Sequence, residues 1–231
     1  KDTTRARANA LREFLTNSDR ENRFDHPELK EVLDLCISCK GCKSECPSNV
    51  DMAALKVEFQ FQYYKSNKPS LRDRTFAGIT KQNAMASKVP GLSRFVMQNK
   101  FTSRIAKELL GVAVERELPA IGKTTLKKYY LTNKDKLKVQ DPVRTVYLFN
   151  DEFTNYLDVE VGIDALKLLS RLGYQVKMID HPESGRSYLS KGFLAEAKNL
   201  ANENIRIFNP LINKETPLLG VEPSAILSFR D

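Results

Sequence analysis

Residues 36–51 read CISCKGCKSECPSNVD, and they place four cysteines within eleven residues, with Pro47 directly after the last. Cys36, Cys39, Cys42 and Cys46 are the only cysteines of the 231-residue chain. Clustered thiols without a distant partner point to a reducing compartment, where cysteine serves more often as a metal ligand than as half of a disulfide. Thiolates at i, i+3 and i+6 can wrap one corner of a metal cluster, with Gly41 giving the backbone room to bend and peptide N–H groups facing the sulfurs.

The spacing is CxxCxxCxxxCP, the run with which bacterial-type iron–sulfur proteins hold [4Fe-4S] clusters. In that arrangement the proline turns the chain away and the fourth cysteine reaches a different cluster. Cys36, Cys39 and Cys42 are then assigned to one cubane and Cys46 to a second, whose other thiolates this chain does not contain; otherwise the four thiols close on one cluster in an atypical way. A four-cysteine zinc site is the alternative, although zinc sites usually separate two CxxC pairs by a longer loop. The chain opens on Lys1 and stops at ILSFRD within what reads as a structured element, so a fragment of a longer protein is expected.

Outward from the cysteines the pattern is helical. TTRARANALREFLT (3–16) places Ala8, Leu11 and Leu15 on one face, with Thr3 or Thr4 as cap. A second helix begins at Pro27 and delivers Cys36 at its end. A third follows Asn49 or Asp51, with Met52, Leu55, Phe59 and Tyr63 as its core stripe. Residues 71–88 and 91–111 suggest one further helix each, separated by Pro90 and Gly91.

After the lysine-rich stretch KTTLKKYYLTNKDKLK (123–138) the periodicity changes. TVYLFN, YQVKMID and PLLGVEP read as strands alternating with helices over 159–173 and 190–208, which implies a parallel sheet. The expected class is therefore α plus α/β: a helical ferredoxin-like domain over 1–118, a basic linker over 119–141, and a small, truncated α/β domain over 142–231. No GxGxxG or GxxxxGK[ST] motif accompanies the sheet. Thirty-seven Lys and Arg against 29 Asp and Glu give a net charge of +8. The excess is spread along the chain, and nucleic acid is not an expected partner. No apolar run approaches the length of a membrane span.

TTRARANALREFL, LCISCKGCKSECPSNVDMAALKVEFQFQYY and SLRDRTFAGI together resemble the large FAD-linked oxidases with a C-terminal iron–sulfur region, a family that includes D-lactate and D-2-hydroxyglutarate dehydrogenases. They also resemble the iron–sulfur subunits of glycolate oxidase and anaerobic glycerol-3-phosphate dehydrogenase. The resemblance implies a preceding FAD domain as partner and a first cysteine motif just before the position matching Lys1. It implies electron transfer from reduced FAD through [4Fe-4S] clusters to a quinone or another acceptor, in an oxidoreductase whose excised segment is inactive. A cytoplasmic location, or one at the inner face of the membrane, goes with it. A non-catalytic scaffold with structural zinc and a basic partner-binding surface is the other reading.

The α/β part resembles the cysteine-rich CCG domain of those subunits, with departures. Glu183 and Ser184 stand where relatives have paired cysteines, and Ala225 stands where they often have one. What remains at the strand ends is polar: Asp151 and Glu152, His181 and Glu183, and Glu222 with Ser224. Ligands bind at such carboxyl ends in parallel sheets. With Arg186 and Lys191 as cations, these residues read either as a site for a divalent metal or hydroxy acid, or as helix caps and loop ties.

Overall fold

A computed structural model describes residues 3–230 and divides the chain into two compact units. The first takes the residues up to Ala77 together with Ser187–Glu196, and the second takes Gly78–Arg186 and the residues from Ala197 onward. The division falls well before residue 118, where the sequence suggested it. The ends of the expected domains, Lys1, Asp2 and Asp231, lie outside the described residues.

The first unit is helical: α1 (Thr4–Asn17), α2 (Pro27–Asp34), α3 (Gly41–Glu45), α4 (Met52–Tyr63) and α5 (Leu71–Ala77). Thr3 accepts the N–H of Ala6 and starts α1, while Pro27 starts α2 at the first-turn position that needs no amide hydrogen. Leu11, Leu29, Leu33, Met52, Phe59 and Tyr63 form one buried cluster, and Cys42 packs against it. The core face of α4 differs from the expected stripe. Leu55 is 40% exposed, whereas Lys56 and Gln60 are buried, because the helix turns the 53–56–57–60 side inward.

The second unit opens with α6 (Ile79–Ala86), α7 (Pro90–Gln98), α8 (Lys100–Leu110) and α9 (Leu126–Asn133). Two of the expected helices are each broken in two. Gly78 separates α5 from α6, and Asn99 leaves helical geometry (ψ 126°) to cap α8 through its side chain. The stretch read as a basic linker carries α9, whose Leu126 and Tyr130 are buried together with Leu137 while Lys127 and Lys128 stay in solvent. Lysine content masked an apolar i, i+4 pair there.

Beyond α9 come β1 (Arg144–Leu148), α10 (Glu152–Tyr156), α11 (Val159–Arg171), β2 (Tyr174–Lys177), α12 (Arg186–Ser190), α13 (Leu194–Phe208), β3 (Leu218–Leu219) and α14 (Pro223–Ile226), with a 3₁₀ turn at Leu227–Phe229. The strands are parallel in the order β2-β1-β3, with Val146 opposite Val176 and Leu148 opposite Leu219. β1 is central, and its Val146, Tyr147 and Leu148 are buried in succession rather than in alternation, as in a strand covered on both faces. Val146, Leu148, Ile163, Leu166 and Val176 form the core with Leu126 and Tyr130 of α9. At Gly162 a Cβ would come within 2.5 Å of Leu126 and 2.7 Å of Thr154, so the packing of α9 and α10 on α11 requires its absence. The α plus α/β class read from the sequence is the observed one.

Candidate functional site

The cysteine loop follows from how α2 ends. Leu29 and Leu33 are fully buried, and the N–H of Cys36 donates to the Leu33 carbonyl at 3.0 Å. Between the cysteines the chain reverses through left-handed residues at Ser38 (φ 57°) and Lys40 (φ 59°). Gly41, expected to supply that freedom, instead opens α3. α3 presents Cys42 inward, and the Cys46 N–H closes it on the Cys42 carbonyl at 3.0 Å. Asn49 takes another left-handed turn, and Asp51 caps α4 by accepting the Ala54 N–H at 2.9 Å.

Amide hydrogens already face the sulfurs. The Ser38 N–H lies 3.4 Å from Cys36 Sγ, and the N–H groups of Val50 and Ser48 pull the Cys46 thiol below its usual range. Hydrogen bonds of this kind favour thiolate over thiol, the form that binds iron. Cys39 is exposed, and Cys36, Cys42 and Cys46 are half-buried. Lys56, which sequence reasoning passed over, reaches the loop from α4 and donates to the Cys36 carbonyl at 2.6 Å. Burial holds its ammonium below the usual lysine range. Lys40 and Lys43 lie 4.0 and 3.8 Å from Asp51. Among the described residues no three His, Cys, Asp or Glu side chains are gathered as a single metal ion requires. A cubane is wider than one ion, and its ligands stand correspondingly further apart. Donor type, loop reversals and amide orientation all fit such a group.

The second unit has a cavity of about 160 Å³ beyond the carboxyl ends of β1 and β2, lined by Glu152, His181 and Glu183 among others. Each of these groups is held. Asp151 caps α10, accepting the N–H groups of Phe153 (2.9 Å) and Thr154 (2.8 Å) and the Thr154 hydroxyl (2.6 Å). Glu152 is 2% exposed, and its two oxygens accept the Ser184 N–H (3.0 Å) and hydroxyl (2.6 Å). His181 stacks on Phe149 with ring centroids 4.3 Å apart; its Nε2 accepts the Asn150 N–H at 3.1 Å. That bond assigns the proton to Nδ1, which donates to the Pro182 carbonyl at 2.7 Å. Glu183 accepts the Thr80 hydroxyl at 2.5 Å.

Burial raises the carboxyls of Asp151, Glu152 and Glu183 above the ordinary range and lowers His181 below it. Neighbouring carboxylates add to the rise: Glu222 on Asp151, Asp151 on Glu152, Glu152 on Glu183. Glu222 itself does not line the cavity. It caps α14, accepting the Ala225 N–H (2.6 Å) and the Ser224 hydroxyl (2.7 Å). Arg186 and Lys191 are not cavity residues either. The Arg186 N–H donates to Ser184, and Lys191 belongs to the first unit, 3.5 Å from Asp73. Sequence reasoning missed Thr80, Asn155 and the Lys127–Asp180 pair at 2.5 Å. Thr80 stands 103 positions from Glu183, and no local pattern joins the two.

The model of the 4Fe-4S dicluster domain family matches residues 1–51, which contain the whole cysteine run. Among curated proteins, the D-2-hydroxyglutarate dehydrogenase of Pantoea ananatis is 26% identical over 220 residues, covering 91% of this chain and 21% of its own length. The Escherichia coli K12 enzyme of the same name is 24% identical with the same coverage, and that of Haemophilus influenzae is 24% identical over 97% of this chain and 22% of its own. No solved structure matches the chain. The chain thus spans about a fifth of the length of these relatives. Among the described residues no helix is long and apolar enough to cross a membrane. The cysteine run, the matching dicluster region and the nearly end-to-end likeness to these dehydrogenases support the resemblance to the C-terminal iron–sulfur regions of FAD-linked oxidases.

Proposed function

We propose that the chain is the electron-transfer portion of a flavin-dependent 2-hydroxyacid dehydrogenase, with D-2-hydroxyglutarate the first substrate to try because the similar enzymes bear its name. The observation that carries the reading is the CxxCxxCxxxCP loop, folded with amide hydrogens toward sulfur and lying inside the dicluster match. Cys36, Cys39 and Cys42 would hold one [4Fe-4S] cluster, and Cys46 would reach a second completed by thiolates from outside these residues. A bound cluster supplies one-electron redox chemistry at a potential set by burial, nearby charge and hydrogen bonds to sulfur.

The chain's own residues do the rest. Ser38, Ser48 and Val50 offer amide hydrogens to the sulfurs, α2 and α4 fix the loop on a buried core, and Lys56 brings a cation to its base. No acid, base or nucleophile is required from this region. Reduced FAD in the remaining part is the donor and a quinone or another carrier the acceptor, in a cytoplasmic protein. The strand-end groups serve as a brace, since their hydrogen bonds are spent on nearby backbone N–H and hydroxyl groups.

The test is iron and sulfide analysis with electron paramagnetic resonance on the natural protein purified without oxygen. Iron and acid-labile sulfide in cluster proportion, lost together in Cys36→Ala, are expected. A colourless protein holding zinc would end the proposal.

A further inference from the structure

α7 and α8 are packed inside out. In α8 the buried positions are polar, Ser103 at 6% and Lys107 at 9% exposure, while Phe101, Ile105 and Leu109 are 74%, 52% and 68% exposed. In α7, Leu92 and Phe95 are 63% and 64% exposed. An amphipathic helix places its apolar stripe against whatever it packs on. Here the stripe is the outer one, so the surface that shaped it lies outside these residues.

The charges decide what kind of surface that is. A helix made for a lipid headgroup layer keeps lysine and arginine on its polar face, directed at the lipid phosphates. Here Arg94 donates to the Ile121 carbonyl at 3.0 Å, Lys107 to the Val114 carbonyl at 3.0 Å, and Arg104 pairs with Glu108 at 2.8 Å. Three of the pair's four cations are therefore bonded within the chain, Arg104 to an acid of its own helix, and only Lys100 adds an exposed positive charge beside the apolar stripe. What is left outward is rich in phenylalanine and leucine, the composition of a permanent protein–protein interface. The relatives that match this chain almost throughout are nearly five times as long, so most of their mass has no counterpart here.

We propose that the exposed face of α7 and α8 is the surface on which the flavin-bearing part of the protein docks. The inference rests on the electron-transfer reading, in which a cluster accepts electrons from a flavin held at short, fixed range. A flexible tether would not hold that range, whereas an apolar interface would. Asn99, by breaking the helix and capping α8, sets the two stripes.

The experiment uses the natural, flavin-loaded protein with a photoreactive benzoylphenylalanine placed at position 101. Irradiation and peptide mapping should find the crosslink in the flavin-binding part. A crosslink to α7 or α8 of a second copy, a crosslink to lipid, or none at all overturns the proposal. As a functional arm, Phe101→Glu with Ile105→Glu should slow bleaching of the cluster absorbance by D-2-hydroxyglutarate at least tenfold while dithionite still bleaches it fully. An unchanged rate also overturns it. The crosslink reads docking alone and dithionite bleaching of the unaltered protein reads the clusters alone, so either idea can fall without the other.

Discussion

The cysteine loop and the strand-end cavity are both crowded with groups able to bind a ligand, and they differ in what those groups already hold. In the cavity Glu152 is satisfied at both oxygens and His181 at both nitrogens by protein donors and acceptors. In the loop the backbone supplies amides to sulfur while the thiols themselves make no bond that fixes the fold. Fully satisfied buried polar groups rigidify the structure around them. Thiols arranged but not consumed remain available to a ligand. The residues at the sheet's carboxyl edge read in sequence either as a ligand site or as helix caps and loop ties, and their observed partners are those of caps and ties.

The largest effect should come from the loop. Cys39→Ser should remove cluster absorbance and cut transfer from flavin to acceptor by more than the roughly 10–100-fold typical of outer hydrogen-bond partners. Retained absorbance and turnover would break the comparison at its first term. Next is Leu166→Ala, which empties a fully buried position of the sheet core and should cost about 2–5 kcal/mol by denaturant unfolding, with iron content unchanged.

Glu152→Ala should cost about 1–3 kcal/mol, because it leaves the Ser184 N–H and hydroxyl buried without an acceptor, while turnover of the folded enzyme stays normal. Lost turnover at unchanged stability would make the cavity a site after all. The pH dependence sharpens the point. With Glu152 raised above its ordinary 4.5, the folded state binds the proton more tightly than the unfolded one. Its contribution therefore declines as pH climbs from that value through the raised one, and Glu152→Gln should flatten that decline. His181, lowered from 6.5, has the opposite sign. It is neutral in the folded protein, so stability falls as pH drops below about 6.5, and His181→Gln should reduce the fall. The smallest effect is Asn99→Ala, about 1 kcal/mol for a lost helix cap, read as a lower melting temperature with clusters intact.

The sequence was legible where one signal dominated. Three short apolar runs gave three parallel strands, and Thr3, Pro27 and Asp51 gave helix starts because caps act within four residues. It misled where two signals overlapped. Six lysines between 123 and 138 hid the Leu126–Tyr130 spacing of α9, and apolar periodicity carried across Asn99 hid a cap in the middle of what read as one helix. The cysteine run was visible in the sequence, but the left-handed turns at Ser38 and Lys40 were not, since neither residue type prefers them. Lys56 and Thr80 reach their sites from distant segments, and distance along the chain erases any local trace.

The first unit takes back ten residues, Ser187–Glu196, after the chain has built most of the second. Phe193 lies 5.8 Å from the ring of Tyr64, Lys191 pairs with Asp73, and Gly192 sits where any Cβ would strike Gln60 at 2.5 Å. During synthesis the cysteine-bearing helices emerge well before the segment that finishes their own packing. Their assembly therefore waits on a late, long-range closure, the kind of contact that slows folding. A protein cut anywhere between Ala77 and Ser187 would keep all four cysteines and still lack part of the body that carries them.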